Sequence, residues 1–512
     1  MDDNNGMRSA EELLHDELVS YCESDFSEEG LREIFQRHGL RSNADHNCSY
    51  GFFHWACHNE SVTEGIIRCL LEYFPDDARA TDSKGRTPLH SACHNRSATL
   101  NIIKHLIDVA PESVRSVTDG GSSMPLHYLC QNNKLDEETT MQILKLLIEK
   151  YPAAVRHANI NGYLPIHLAA AWVISPEVSR VLIEAYPGSE RISDVTGDLP
   201  LHHACYKGSL AAVKYLYGLS TETINVAAAS GHYPIHNAIA GTNNRDNPAT
   251  AVAIVKFLQD CDPNQKLKLF HGWSLLHYAC QREFNDSNIE AGIQVIKIIF
   301  DAHPEAIEDD EEVMSHIHDY HPQVHAFING ELVYAQRAKD LRLMNTPDDS
   351  GRLPLHRALQ SNVRLGSIKL LVKGNPSAIR TFDRSSLIPL HIACQHHNST
   401  DVVRYLVELD TAILDTVDRD GNTALHHACQ NATYDTIAML LEDYDAISVS
   451  RQNYQQKLPI DLLWDSSAVD RDDLEYVEST FRLLKAYPET VVMRMANEQA
   501  FPPNGKKRKF GK

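Results

Sequence analysis

No run of about eighteen apolar residues occurs anywhere in the chain, so it offers no helix able to cross a membrane. The first residues, Met1 to Glu12, lack the apolar stretch of a secretory signal, and the expected location is therefore cytoplasmic. Positive charge is short: 48 Lys and Arg stand against 69 Asp and Glu, a formal net charge of −21. Phosphate backbones need a basic face, which argues against nucleic acid as a partner and for proteins with basic surfaces. No phosphate-binding Gly-rich loop, nucleophile elbow or kinase signature is present. The expectation is a protein that is not an enzyme and carries no cofactor. Cysteines number 11, but most recur as single thiols one repeat apart, which argues for reduced, buried thiols rather than a disulfide framework.

What the chain has is a beat of histidines. They stand at His54, His90, His127, His167, His202, His236, His277, His356, His391 and His426, most often in Pro-Leu-His or Pro-Ile-His, with Ala-Cys often following. The spacings are 36, 37, 40, 35, 34, 41, 79, 35 and 35 residues. A period of this size marks a repeat array, in which each unit buries its apolar face against its neighbours. Functional attention moves from a pocket to a long surface.

One unit runs from Asp82 to Pro111. Asp82 to Gly85 reads as a turn, Thr87 as a helix N-cap and Pro88 as the first helical residue. Leu89, Ala92 and Cys93 share one face, and Ile102, Ile103, Leu106 and Ile107 form a second amphipathic run that ends before Pro111. The cap threonine survives only at Thr87 and Thr423, with Ser274 as a stand-in. Met124, Leu164, Leu199, Tyr233, Leu353 and Ile388 replace it, and losing a hydroxyl cap costs about 1 kcal/mol each. Packing against the neighbouring turn is expected to offset part of that. The extra length of the longer units is expected in the inter-helix loop, as in Gln131 to Thr140.

The turn followed by Thr-Pro-Leu-His-x-Ala resembles the ankyrin repeat, over roughly Cys48 to Pro488. The resemblance implies an all-α helix-turn-helix solenoid of about ten to eleven repeats and a protein–protein interaction scaffold. It also implies that each histidine hydrogen-bonds the neighbouring turn. The expected organisation is an acidic helical cap (1–47), a first array (48–304), an acidic, His-rich insertion (305–346), a second array with a C-terminal capping repeat (347–490) and a flexible basic tail (491–512). In the last unit Asp461 takes the histidine's place, and a more polar outer side is expected there.

Several local patterns have two readings. His-x-x-Cys places two good zinc ligands on one helix face. Ala170 and Ile239 replace the cysteine without breaking the beat, so the structural reading wins. In the insertion, His316, His318, His321 and His325 could bind zinc, although a solvated polar loop is the simpler account. Asn329-Gly330 between apolar flanks reads as a hairpin turn, and the insertion as a projection from the array's turn side. The pairs after Ala-Cys, such as His94-Asn95, Gln131-Asn132, Gln281-Arg282, Gln395-His396 and Gln430-Asn431, suit helix C-capping and also contact with an extended partner. With the tip residues Lys84, Arg86, Arg352, Arg384, Asp420 and Asn422 they form the candidate partner-binding set. Lys506-Lys507-Arg508-Lys509 resembles a nuclear localisation signal. The alternative function is a regulatory subunit of an enzyme or nuclear factor acting through residues 305–346.

Overall fold

Most repeats start where a backbone N–H meets an imidazole. In the unit beginning at Asp82, the peptide N–H of Thr87 donates to Nδ1 of His90 across 3.0 Å. Pro88 follows at the first helical position, and the helix runs Pro88–His94. A second helix, Leu100–Val109, is capped by Thr99, whose hydroxyl accepts from the Ile102 N–H. It stops before Pro111, as the sequence predicts.

The computed structural model describes residues 26–40, 51–172, 175–243, 247–262, 269–270, 273–309, 320–443, 447–465 and 473–486, with a few isolated positions before residue 26. Among these the structure is all-α; a single antiparallel bridge joins Phe270 and Trp273. The chain forms two compact units, residues 1–298 and 299–512. In the first, the helices Phe52–His58, Pro88–His94, Pro125–Gln131, Pro165–Trp172, Pro200–Lys207, Pro234–Ala240 and Leu275–Cys280 pack on one another in chain order. Their second helices form a parallel layer, from Glu64–Tyr73 to Pro248–Cys261. The second unit repeats the plan with first helices Pro354–Gln360, Pro389–Gln395, Ala424–Gln430 and Pro459–Asp465.

The core is the seam between the two layers. Leu89, Ala92 and Cys93 meet Ile102, Ile103 and Leu106, all essentially inaccessible. Cys57, Cys93, Cys130, Cys205, Cys280, Cys394 and Cys429 are free, buried thiols. Burial pushes Cys394 up to about 12, and its counterparts at Cys57, Cys93, Cys130 and Cys429 up as well, so they act as small apolar fillers.

The turns are held twice. Oδ1 of Asp82 accepts the N–H groups of Lys84 and Arg86, both at 2.9 Å, and Asp348, Asp383 and Asp418 repeat this in their turns. Successive tips then bond to each other: Asp119 N–H to Lys84 O, Ile160 to Gly121, Val195 to Asn161, Ala229 to Thr196, Arg384 to Ser350 and Tyr454 to Asp420, at 2.9–3.1 Å. Gly85 is required here. Its φ is +71°, and a Cβ would lie 2.5 Å from the Asp119 nitrogen.

Four expectations need correction. The extra residues of the third unit are not in its loop. Residues 132–136 match 95–99 in length, and the second helix Glu137–Lys150 has 14 residues where Leu100–Val109 has 10. One added turn of helix restores the phase that a longer loop would lose. The hairpin at Asn329-Gly330 does not form, because residues Pro322–Lys339 make one 18-residue helix that buries Val324, Ile328 and Ala335. Turn propensity gives way to the apolar face that this segment supplies. Nor does the segment project freely, since it packs along the helix Leu365–Gly374, where Gly374 lets the backbone of Ala338 approach. Finally, the last helix, Leu474–Ala486, is only partly polar outside: beside the exposed Glu475, Glu478 and Lys485, Leu474, Val477 and Phe481 are 77, 52 and 65% exposed.

The N-terminal helix Glu28–Arg37 stands as expected, capped by Ser27 and ended by Gly39 at φ +66°. It packs on the first repeat's second helix, with Phe35 against Tyr73 and Phe74 and Arg32 bonded to Glu72. The basic tail and Ser9-x-x-Glu12, which reads in the sequence as a helix capping box, lie outside the described residues.

Candidate partner-binding surface

The beat histidines are consumed by the scaffold. Nδ1 accepts the N–H three residues back at His90, His127, His167, His202, His236, His356, His391 and His426, at 3.0–3.4 Å. Nε2 donates forward to a carbonyl of the next repeat at His54, His90, His127, His167, His356, His391 and His426, at 3.0–3.2 Å. This fixes the neutral tautomer with the proton on Nε2. Burial holds His90, His127, His167, His202, His391 and His426 down at about 4. The imidazole makes this bond whether the cap residue carries a hydroxyl, as at Thr87 and Thr423, or not, as at Met124, Leu164, Leu199, Leu353 and Ile388, whose side chains are buried.

The asparagines after Ala-Cys behave similarly. Asn95 Nδ2 donates to Cys57 O and Asn59 O, and Asn132 Nδ2 to Cys93 O and Asn95 O, at 2.8–3.2 Å. Both are buried rungs of an inter-repeat ladder. Asn431 caps its own helix through His427 O at 2.9 Å.

One cluster has metal-ligand composition: Asp194, Asp198 and His203 bring ligand atoms within 4.8 Å of one another. Its atoms are engaged in the turn. Asp194 Oδ2 accepts from His203 Nε2 at 2.8 Å, and Oδ1 accepts from Thr196 and from the Asp198 N–H. Burial would raise this carboxyl, but those donors bring it down to about 2. The same pairing recurs at Asp418 and His427, 2.9 Å apart, with Asn422 where Asp198 stands. The pair pins the turn to the helix.

The candidate contact residues divide by what already holds them. Arg86 is paired with Asp82 in its own turn at 2.6 Å. Arg352 reaches Asp383 of the next turn at 3.0 Å and Gln360 at 2.8 Å. Asn422 is buried between Asp418 and Asn453. Lys84, His94, Gln281, Arg384, Asp420 and Gln430 are exposed, and Gln131, Gln395 and His396 are half-buried. Burial, aided by Arg352 and His397, lowers His396.

Residues that sequence reading passed over complete the surface in the first unit. The position after the beat histidine carries an aromatic ring or imidazole that reaches the surface at Trp55, Tyr128 and His203. His58 and His94 stack at 6.3 Å with rings 5° from parallel, and Tyr128 meets His94 edge-on at 6.0 Å. Trp55 is 37% exposed beside them. The signal was the x of Pro-Leu-His-x, which has no fixed composition. Of the insertion's histidines, His321 caps the helix Pro322–Lys339 and His325 contacts Asn329 one turn on; His316 and His318 lie outside the described residues.

A family model described as ankyrin repeats (3 copies) matches the chain at residues 24–136, 126–228 and 355–453, more than half of its length. No curated protein matches it.

Proposed function

Since this chain belongs to the ankyrin repeat family, whose repeats are protein–protein interaction modules, we propose that it is a non-enzymatic scaffold or adaptor. Its partner lies across the first-helix ends and turn tips, contacting Lys84, His94, Gln131, Gln281, Arg384, Gln395, His396, Asp420 and Gln430. The observation that carries this reading is the register of the exposed groups. Hydrogen bonds between tips and imidazole staples such as those of His90 and His391 fix the backbone, and side chains left over project at intervals of one repeat. Such a rigid surface lets a few side chains provide most of the affinity. The net charge of −21 favours partners with basic surfaces and speeds their association at low salt. The expected location is cytoplasmic, with nuclear import if Lys506-Lys507-Arg508-Lys509 acts as a signal.

The test is affinity capture with the full chain and a triple variant, Gln395→Ala, His396→Ala and Gln430→Ala. These side chains sit at the surface without a cross-repeat bond of the kind Asn132 makes, so thermal stability should hold while captured partners fall away. Intact capture by the variant sinks the placement. A second reading, action through the insertion, is favoured by Val333 and Leu343, both 52% exposed on its helices. Replacing both by Glu tests it better than deletion, which would uncover the helix Leu365–Gly374.

A further inference from the structure

Two imidazoles of the first unit stand outside the staples. His58 ends the helix Phe52–His58, and His94 ends the helix Pro88–His94 one repeat on. Both are exposed, and their rings lie 6.3 Å apart and 5° from parallel. The next first helix, Pro125–Gln131, brings Tyr128 edge-on to His94 at 6.0 Å. Trp55, one turn before His58, is 37% exposed. Three successive first helices thus set ring nitrogens beside flat apolar surfaces.

The charges around the pair decide what it receives. Burial lowers His94 first, and His58, Lys134 and Arg86 push it further in the same direction. Lys134 is exposed and forms no ion pair among the described residues. The neighbouring carboxylates are engaged: Asp82 holds Arg86 at 2.6 Å, and Glu60 pairs with Arg96 of the next repeat. Asp119 lies over Gly85 at the turn tip. A metal ion chelated by the two rings would meet the repulsion of Lys134 and Arg86, whereas an anion relieves it. Asp82 occupies the fork of Arg86, which removes the bidentate clamp that phosphate groups use, so the anion that fits is a carboxylate. The net charge of −21 does not override this local field, because exposed charges more than about 8 Å away are largely screened at physiological salt.

We propose that His58, His94 and Lys134, with Trp55 and Tyr128 beside them, hold an acidic, extended segment of the partner protein, its carboxylates on the imidazoles and its apolar side chains on the rings. The inference rests on the reading of the first-helix ends as the contact surface and names the partner's chemistry there. An anion beside the imidazoles raises their affinity for protons. Binding therefore takes up protons and tightens as pH falls.

Panning the full chain against a phage-displayed library of random peptides at ~0.15 M salt tests this. The retained peptides should be rich in Asp and Glu. In fluorescence polarisation they should bind the double variant His58→Ala, His94→Ala at least ~tenfold more weakly than the wild type. Lys134→Glu, which leaves both rings in place, should weaken them at least ~threefold. Affinity for the wild type should rise several-fold from pH ~8 to pH ~6.5, and the melting curves of both variants should match the wild type's. Retained peptides rich in Lys and Arg, or no enrichment at all, overturn the proposal. Acidic peptides held as tightly by both variants bind elsewhere and overturn it too, and an affinity that ignores pH removes the imidazoles from the contact. The site lies in the first unit, so the triple variant at Gln395, His396 and Gln430 tests the scaffold reading separately. Capture lost by that variant, with no acidic enrichment here, overturns this inference alone.

Discussion

The first and last repeats are built from the same parts and finished in opposite ways. At the start, His54 donates from Nε2 to Ala80 O, while its Nδ1 has no hydrogen-bond partner among the described residues. Gly51, in the left-handed region at φ +73°, occupies the cap there. At the end, Asp461 makes the backward half, accepting the Leu458 N–H at 3.0 Å. A carboxylate is an acceptor with no N–H to send forward, so the stack has a direction and this residue terminates it. The outer surfaces differ too. The helix Glu28–Arg37 covers the first repeat, whereas the last presents Leu474, Val477 and Phe481 to solvent. Of the two ends, the first is covered by a helix of its own chain and the last exposes apolar side chains.

The largest test of this contrast is acid. The interior histidines near 4 sit below the ordinary value of 6.5, so the unfolded chain binds protons first as pH falls. Their contribution is fully present above pH ~6.5 and is lost progressively down to pH ~4, reaching about 2 kcal/mol per histidine at pH 5. Asp194 and Asp418, held low in the fold, add their loss only below the ordinary carboxylate range. Urea midpoints at pH 7.5, 6 and 5 should fall steeply together; a flat profile would mean that the rings titrate freely.

Single substitutions grade the rest. His391→Ala strands the Ile388 N–H and the Thr416 carbonyl and should cost about 3 kcal/mol in chemical denaturation. Asn132→Ala strands two carbonyls of the preceding repeat, for about 2 kcal/mol. Asp461→Ala removes one helix cap and should cost only about 1 kcal/mol. Equal costs for His391→Ala and Asp461→Ala would erase the distinction between a two-way staple and a terminator. Phe481→Lys should lie within about 0.5 kcal/mol of the wild type, since that ring is 65% exposed.

Much of this was legible in the chain. Thr87, Pro88, His90 and the apolar spacing after them specify where helices start, and the beat of His90, His127 and His167 sets the repeat. The acceptor of each ring was not legible, because Ser123 and Tyr163 lie 33 and 36 residues beyond the histidines that reach them. The exposure of the candidate contact residues was half legible. Lys84, Arg384 and Gln430 could be placed by repeat position, but Arg352 and Asn422 look the same in sequence and are consumed by neighbouring turns. Asn329-Gly330 misled because a two-residue turn signal carries no knowledge of a helix waiting to be packed against.

By itself the sequence determined the unit: turn, capped helix, second helix, and a histidine to join one unit to the next. That information is local, since hydrogen bonds within a helix and its cap involve residues three or four apart. Only the tertiary structure decided which polar groups remain for a partner. Whether a side chain is spent or free depends on neighbours a full repeat away, as Arg352 and Asn422 show.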